Sequence, residues 1–265
     1  MIYYIKKEIR LRPYVVHQEN KMTNINENRN IYITGAICGI LWPILSELLF
    51  YALYPVLAGS ARLPPNSNFQ TYLIGVAELG HNSFILTLEW SKLATSLLLI
   101  PFLIALWRFV SQRGQHNLAL VAVSLGLLSM VFTMFGHTFN ATINHALGNG
   151  YIGAGSADER ATILSIAGVF SAWHGSINQI ASFLYQGCVG LLSLALLRNR
   201  TWRFWGWLGL IGALLAIPAK IPLGWQVPTN LIWTGIAYFL LPVGLGIGLL
   251  KFSKSINSAD RVIQY

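Results

Sequence analysis

Charged residues are scarce in this chain of 265 residues, at 10% of the total, whereas a soluble domain carries about a quarter. Hydrophobic residues make up 54% of the chain, and its mean hydropathy is +0.54. This composition excludes a soluble globular enzyme and an intrinsically disordered segment. It is typical of a polytopic membrane protein.

Cysteine is also scarce. The chain has two cysteines, Cys38 and Cys188, and both lie within apolar runs. A secreted disulfide scaffold needs more cysteines, placed in exposed loops. We therefore interpret both residues as small hydrophobic members of the core.

Sequence motifs of the common enzyme classes are absent. The chain has no His-Glu-x-x-His pair for zinc, no Gly-x-Ser-x-Gly elbow and no Gly-x-x-x-x-Gly-Lys phosphate loop. Its net charge is +9, but the basic residues stand at the ends of apolar runs. We therefore expect these residues to set orientation in a membrane, and we expect no nucleic-acid partner.

Six stretches are long and apolar enough to span a membrane, since a helical span needs about 20 residues. They cover Ile31–Leu57, Phe84–Val110, Leu118–Phe139, a segment that starts between Ala161 and Ile177 and ends near Leu197, Trp205–Pro222 and Leu231–Leu250. The predicted fold is an all-α polytopic transmembrane helix bundle. Its membrane domain covers residues 31–251, between a basic N-terminal segment (1–30) and a tail (252–265).

The basic residues predict the orientation of the chain. With a cytoplasmic N-terminus, 14 of the 18 Lys and Arg fall on inside segments and 3 on outside segments, while Lys92 lies within a span. Positively charged loops stay in the cytoplasm. We therefore expect a multi-pass protein of the bacterial inner membrane, with both termini cytoplasmic and the lipid bilayer as a partner. Whether the protein forms a homo-oligomer is left open.

The N-terminal segment has two interpretations. Ile5–Val16 is basic and mildly amphipathic, which is typical of a helix that lies on a membrane surface. Alternatively, translation starts at Met22 and the preceding residues are an upstream extension. A cleavable signal peptide is not expected, because no apolar core precedes a small-residue cleavage site.

Polar residues of several spans converge at one depth. About 20 residues from their cytoplasmic ends, the spans reach Glu47, Glu89 and Lys92, His137, and His174. The apolar pattern of the second, third and fourth helices also continues past this depth. We therefore expect these helices to extend beyond the outer membrane face, with a polar site at that boundary.

Two carboxylates are candidates for ligand or proton binding. Glu47 has Ser46 as its only polar neighbour in sequence, and a carboxylate within a span usually faces a bundle interior or a pathway. Glu89 and Lys92 are three residues apart, so the sequence predicts that they pair on one helix face. The alternative for this pair is mutual neutralisation without a further role. The predicted ligand or proton site consists of Glu47, Glu89, Lys92, Asn140 and Asn178.

Three histidines near the same depth are candidates for holding zinc or a haem: His137, His145 and His174. His137, Asn140, Asn144 and His145 share one broad helix face. His137 and His145 are about 12 Å apart along an α-helix, too far for one zinc ion. A zinc site could instead combine His174, Glu89 and one of these two. A haem could bind between His137 and His174, or between His145 and His81. The cofactor is left open between zinc, a haem and no cofactor at all, and the last of these is favoured.

The segment Trp173–Gln179 is the densest polar insertion in the chain. His174 and Asn178 are one turn apart and face the same way, and Gly175 predicts a kink or a close helix approach. The alternative is that these are ordinary polar side chains at a wet membrane interface.

The C-terminal part carries a resemblance to a known family. One span ends in Leu197-Arg198-Asn199-Arg200, and the next opens with Trp205-Gly206-Trp207-Leu208-Gly209. Over Leu191–Ile217 the chain resembles a bacterial six-helix integral membrane family known only as a domain of unknown function. The resemblance implies a six-helix inner-membrane fold and no particular chemistry. The segment Trp173–Gln179 departs from the family's pattern.

Three functions are compatible with these features. The favoured one is binding of a small molecule or ion at the polar site, with transport or sensing. One alternative is an intramembrane metal- or haem-dependent enzyme that acts on a lipid or isoprenoid substrate. The other is a structural or assembly partner of a membrane complex.

Overall fold

The chain is helical wherever its structure is described. A computed structural model describes residues 28–48, 71, 83–217 and 232–263. No β-strand occurs within these ranges. The all-α prediction is confirmed, while nearly all of the predicted N-terminal segment lies outside the described residues.

Five helical stretches of the described part are long and apolar enough to cross a membrane. In chain order the helices are α1 (Asn28–Leu48), α2 (Ser83–Ser96), α3 (Leu99–Ser111), α4 (His116–Phe139), α5 (His145–Gly153), α6 (Ala157–Leu197), α7 (Arg203–Leu215) and α8 (Leu241–Ile263). Three π-helical segments adjoin them within the described ranges. They are π1 (Pro43–Leu48), which ends α1, π2 (Asn140–Asn144), which joins α4 to α5, and π3 (Gly235–Leu240), which precedes α8.

The predicted second span consists of two helices, α2 and α3, which are separated at Leu97 and Leu98. The N–H groups of Leu97, Leu98 and Ile100 each bond to the carbonyl three residues earlier. Pro101 lacks the N–H that would reach the Leu97 carbonyl in an unbroken α-helix. The proline therefore explains an interruption that apolar composition alone does not predict.

The predicted fifth span begins as α7, which has 13 residues and is too short to cross a bilayer by itself. Its predicted end at Pro222 lies outside the described residues. The predicted sixth span is confirmed as a long apolar helix, Ile232–Ile256. α8 continues through Lys251 to Ile263, so no helix end marks the predicted start of the tail.

Two helices are about twice as long as a membrane crossing requires. Residues 116–153 form one helix of 38 residues through π2, and α6 has 41. At about 1.5 Å per residue, their lengths are about 57 and 62 Å, against about 30 Å of hydrocarbon. The predicted excess length of the third and fourth helices is confirmed. The predicted start of the second near Tyr72 lies outside the described structure.

A capping box begins α6. The Ser156 hydroxyl accepts a hydrogen bond of 3.1 Å from the Glu159 N–H, and the Glu159 carboxylate accepts one of 3.3 Å from the Ser156 N–H. Both bonds satisfy N–H groups that have no partner within the helix. This box fixes where the chain turns from α5 into the longest helix of the bundle.

Glycines allow the closest helix contacts. A Cβ atom at Gly35 would collide with Ala105, and one at Gly39 would collide with the Phe102 ring. α1 therefore approaches α3 at a distance that larger residues would not permit. Three glycines of α7 serve the same purpose against α6, π3 and α8: Gly206, Gly209 and Gly212.

α4 and α6 run antiparallel through the centre of the bundle. Gly126 of α4 lies against the Cys188 thiol of α6, and Ser129 donates a hydrogen bond of 2.7 Å to the Ala181 carbonyl. Cys38 and Cys188 are both buried free thiols. The interpretation of the two cysteines as core residues is confirmed.

One end of the bundle is rich in basic side chains and polar contacts. Tyr32 donates to Gln112 Oε1 at 2.7 Å, and Arg198 donates to Gln115 Oε1 at 2.8 Å. The Arg113 guanidinium stacks 3.6 Å above the centre of the Phe109 ring. We call this the basic end. The acidic side chains that the structure describes lie toward the other end, the acidic end: Glu47, Glu89, Asp158 and Glu159.

Candidate functional site

An ion pair between Glu47 and Lys92 links α1 to α2 near the acidic end. Lys92 Nζ lies 3.7 Å from Glu47 Oε2, and the two side chains are 9% and 16% exposed, respectively. Ser46 donates a hydrogen bond of 3.0 Å to Glu47 Oε1. Glu47 lies in π1, which packs against both α2 and π3. The prediction that Glu47 faces the bundle interior is consistent with these contacts.

A second pair joins Glu89 of α2 to His145 at the start of α5. His145 Nε2 lies 3.1 Å from Glu89 Oε2, and both side chains are nearly buried. The predicted pair of Glu89 with Lys92 is therefore replaced by two pairs between helices. The reason is geometric, because residues three apart point about 60° apart around a helix and so can face different neighbours.

We call Glu47, Lys92, Glu89 and His145 the polar cluster. Its members are two carboxylates, one ammonium group and one imidazole, and all four side chains are largely buried. Lys92 and His145 each make further interactions besides these two pairs. The cluster therefore joins α1, α2 and α5 through polar contacts.

A small cavity adjoins Glu47 inside the bundle, with a volume of ≈ 30 Å³. A buried water molecule needs about 10–15 Å³ on this measure, so the cavity has room for about two waters. Ligand pockets for organic molecules are at least about tenfold larger. The lining residues are Trp42, Ser46, Glu47, Ser96, Leu99, Ser129, Met130, Thr133, His137, Tyr185 and Tyr238.

Five of the six hydroxyl groups in this lining donate their hydrogens to acceptors that the structure shows. Ser96 donates to the Lys92 carbonyl, Ser129 to the Ala181 carbonyl, Thr133 to the Ser129 carbonyl, Tyr185 to the Ala237 carbonyl and Ser46 to Glu47. The hydroxyl oxygens therefore offer lone pairs to the cavity. These oxygens can accept hydrogen bonds from water or a hydronium ion, and the Trp42 indole and the His137 ring add N–H donors to the same lining.

Tyr185 also compensates for a missing backbone donor in π3. The Leu241 N–H bonds to the Ile236 carbonyl, five residues earlier, as a π-helix requires. The corresponding donor for the Ala237 carbonyl would be residue 242, which is a proline without an N–H. Tyr185 donates to this carbonyl at 2.9 Å, in a fully buried bond.

His137 brings an imidazole from α4 to the same cavity. Lys92 and His174 both lie near His137. The cavity thus has a carboxylate from α1 and an imidazole from α4 in its lining. The sequence predicted both residues as candidates, but it could not assign them to one cavity.

His174 and Asn178 form a separate contact between α6 and α4. The Asn178 amide and the His174 Nε2 atom are hydrogen-bonded at 2.9 Å, and the Phe139 ring stacks on the imidazole with centroids 5.0 Å apart. Gly136 provides the space, because a Cβ there would lie 2.6 Å from Asn178 Oδ1. The prediction that His174 and Asn178 face the same way is confirmed.

The predicted role of Gly175 is wrong. Residue 175 lies within an unbroken α6, and a Cβ atom placed there would meet no neighbour within 4 Å. The close approach expected from this glycine does not occur among the described residues, and the helix continues through it. The close approach belongs to Gly136 on the facing helix, one turn before Asn140.

The described residues do not assemble the predicted metal centre. Within them, no group of three or more His, Cys, Asp or Glu has an arrangement that could hold a metal ion. Glu89 contacts His145, whereas His174 contacts Asn178, so the proposed zinc ligands are divided between two places. His81 lies outside the described structure, as do the side chains of Asn140 and Asn144.

Several residues of the cavity were not identified from the sequence. Ser129, Thr133, Tyr185 and Tyr238 lie in apolar runs, where a hydroxyl is read as a tolerated core residue. Pro242 was the available signal for Tyr185, because a proline in a span leaves a carbonyl that needs another donor. The sequence did not show which helix would supply that donor.

Comparisons with protein-family models, with curated proteins and with solved structures found no match to this chain. The resemblance of Leu191–Ile217 to a six-helix membrane family therefore stays a prediction. Function must be inferred from the geometry of the polar cluster and its cavity.

Proposed function

We propose that this protein binds one exchangeable proton in the polar cluster and passes it between Glu47 and the Glu89–His145 pair, as part of proton-coupled transport or proton sensing. The observation that carries the proposal is the ion pair of Glu47 and Lys92 beside a cavity lined by hydrogen-bond acceptors. The sequence favoured a small molecule or an ion as the ligand, and we propose an ion.

The size of the cavity supports a proton as the ligand. A volume of ≈ 30 Å³ accepts about two waters, which suffice to bring a proton to Glu47. The hydroxyl oxygens of the lining can accept hydrogen bonds from water or a hydronium ion. Among the residues that the structure describes, those around Glu47 contribute one cation, Lys92, and the titratable side chains of His137, Tyr185 and Tyr238.

Lys92 explains how the proton could move without a change in the net charge. Lys92 lies one helical turn from Glu89 on α2 and 3.7 Å from Glu47 on α1. When Glu47 takes the proton, Lys92 can neutralise Glu89, and His145 becomes neutral. When Glu47 loses the proton, Lys92 neutralises Glu47 and the proton resides on the Glu89–His145 pair. The cluster is neutral in both states.

Infrared difference spectroscopy tests this proposal on the purified protein in detergent. Acidification should produce the carbonyl band of a neutral carboxylic acid in the wild type, and Glu47→Gln should remove that band. Asp158→Asn is the matched control, because Asp158 is an exposed carboxylate outside the cluster.

Two results would contradict the proposal. One is a carboxylic-acid band that Glu47→Gln leaves unchanged. The other is a spectral change caused by sodium, potassium or lithium at constant pH and removed by Glu47→Gln, which would identify an alkali cation as the ligand in place of the proton.

We further propose that the basic end faces the cytoplasm of a bacterial inner membrane. The basic side chains of that end support this placement through the positive-inside rule. With Cys38 and Cys188 buried, single cysteines can report the orientation. In intact cells, a membrane-impermeant thiol reagent should label Asp158→Cys and should label Lys254→Cys only after lysis. The reverse pattern would contradict the orientation.

A role in assembly is a second candidate that one observation favours. α6 extends about 20 residues past one membrane thickness, and apolar side chains of this extension are exposed, with Val169 at 72% and Trp173 at 49%. Exposed apolar surface outside a bilayer marks interaction sites. Val169→Cys and Ser165→Cys each place a thiol on this face of α6. If the face binds a partner or a second copy, chemical cross-linking in membranes should give a stable adduct with each variant.

A further inference from the structure

A wide apolar groove runs along α8 toward the basic end, and it shares no lining residue with the cavity beside Glu47. Its volume is ≈ 510 Å³. The lining residues are Thr201, Trp202, Trp205, Phe239, Leu240, Val243, Gly244, Ile247, Gly248, Lys251, Phe252 and Ser255. The repeat of positions three and four apart from Leu240 to Ser255 shows that one face of α8 forms one wall.

Two glycines and two indole rings shape this groove. A Cβ atom at Gly244 would collide with the Trp205 ring, and one at Gly248 would collide with the Trp202 ring. Both indoles therefore press against the α8 backbone instead of filling the space beside it. Leu240 and Ile247 remain 50% and 44% exposed along the groove.

The length of the groove fits one leaflet of a membrane. From Leu240 to Lys251, the chain of α8 advances by about 17 Å. Half of a hydrocarbon core of about 30 Å is about 15 Å. An acyl chain of one lipid could therefore lie in the groove with its headgroup at the level of Lys251.

The headgroup end of the groove carries positive charge. Lys251 belongs to the lining and is exposed, and Arg203 and Lys254 are exposed basic residues in the adjoining parts of α7 and α8. The described acidic side chains lie at the other end of the bundle. Tryptophans beside lysines are typical anchors at the membrane interface.

We propose that this groove is a binding site for an anionic phospholipid. One acyl chain lies along Leu240, Val243 and Ile247, and the phosphate group binds Lys251. Basic pockets between transmembrane helices bind anionic lipid headgroups in this manner. The proposal does not depend on the proton-binding function, because the two sites share no residues.

Native mass spectrometry of the purified protein tests this proposal. The protein is exposed to equal amounts of phosphatidylglycerol and phosphatidylcholine with the same acyl chains. The wild type should retain phosphatidylglycerol in preference, and Lys251→Gln should lower that preference about fivefold, the factor for one basic residue at a membrane surface. Arg160→Gln removes an exposed basic residue at the acidic end of the bundle and should keep the preference.

A second variant tests the acyl-chain part of the site. Ile247→Trp fills the groove and should lower the retention of both lipids, whereas Ile211→Trp, at an exposed position of α7 outside the groove, should not. Equal retention of the two lipids by the wild type would overturn the proposal. Equal effects of Lys251→Gln and Arg160→Gln would also overturn it, as would displacement of the lipid by glycerol phosphate alone.

Discussion

The Lys92 ammonium group lies 3.7 Å from the Glu47 carboxylate and ties the π-helical end of α1 to α2. Both side chains are largely buried, so each charge depends on the other. Removal of one partner from a buried ion pair costs about 3–5 kcal/mol, because the remaining charge stays buried without compensation. This pair is therefore a sensitive point for both the stability and the chemistry of the bundle.

Substitution of either partner should destabilise the protein. We expect Glu47→Gln to lower the free energy of unfolding by about 1–2 kcal/mol, less than the cost of an uncompensated buried charge, because Lys92 can then neutralise Glu89. Lys92→Gln should cost more, because it leaves two carboxylates near one imidazole. Unfolding in detergent, followed by tryptophan fluorescence, measures both effects.

The double variant provides the decisive comparison for the pair. Glu47→Gln with Lys92→Gln should cost less than the sum of the single variants, with a coupling of at least about 1 kcal/mol. Lys254→Gln, an exposed lysine elsewhere on the chain, should leave the stability unchanged. Additive single effects would show that the two groups do not act as a pair.

Tyr185→Phe should destabilise the protein by about 1–3 kcal/mol, because it leaves the buried Ala237 carbonyl without a donor. Tyr151→Phe is the matched control, since it removes the hydroxyl of another buried tyrosine, one that forms no hydrogen bond with the described residues. Thermal unfolding of the two variants measures the difference.

Because Pro242 has no N–H for the Ala237 carbonyl, the role of Tyr185 can be tested in a second way. Pro242→Ala returns a backbone N–H to the position that would serve Ala237. In that background, Tyr185→Phe should cost clearly less than it does in the wild type. An undiminished cost would show that Tyr185 does not substitute for the missing N–H.

Two glycines on facing helices should respond oppositely to alanine. Gly136→Ala places a Cβ 2.6 Å from Asn178 Oδ1 and should lower stability, because α4 and α6 must move apart or Asn178 must turn. Gly175→Ala meets no neighbour and should raise stability by up to about 1 kcal/mol through helix propensity. Melting temperatures in detergent distinguish them, and a loss of stability in Gly175→Ala would contradict this packing.

The amino-acid sequence predicted the architecture well, because long apolar runs leave few options in a membrane. It also predicted the great length of the helix that forms the fourth span, α6, since the apolar pattern continues back to Ala161. Breaks within helices were harder to predict. The separation of α2 from α3 depends on Pro101, and π3 precedes Pro242, yet both prolines lie in runs whose hydropathy predicts one continuous span.

The sequence predicted which residues form the candidate site, but it did not predict which of them pair with each other. Glu47, Glu89, Lys92 and His145 were all candidates, yet local spacing favoured Glu89 with Lys92. Which helix packs beside α2 decides the pairing, and that information is not local in the sequence. The cavity hydroxyls of Ser129 and Thr133 were missed for the same reason.

Potentiometric titration of concentrated protein in detergent tests the central claim most directly. Between about pH 8 and pH 5, where an isolated carboxylate stays ionised, the wild type should bind one proton more than Glu47→Gln and one more than Glu89→Gln. Asp158→Asn should match the wild type. Equal proton uptake by the wild type, Glu47→Gln and Glu89→Gln over this range would contradict the account, because the cluster would then hold no exchangeable proton.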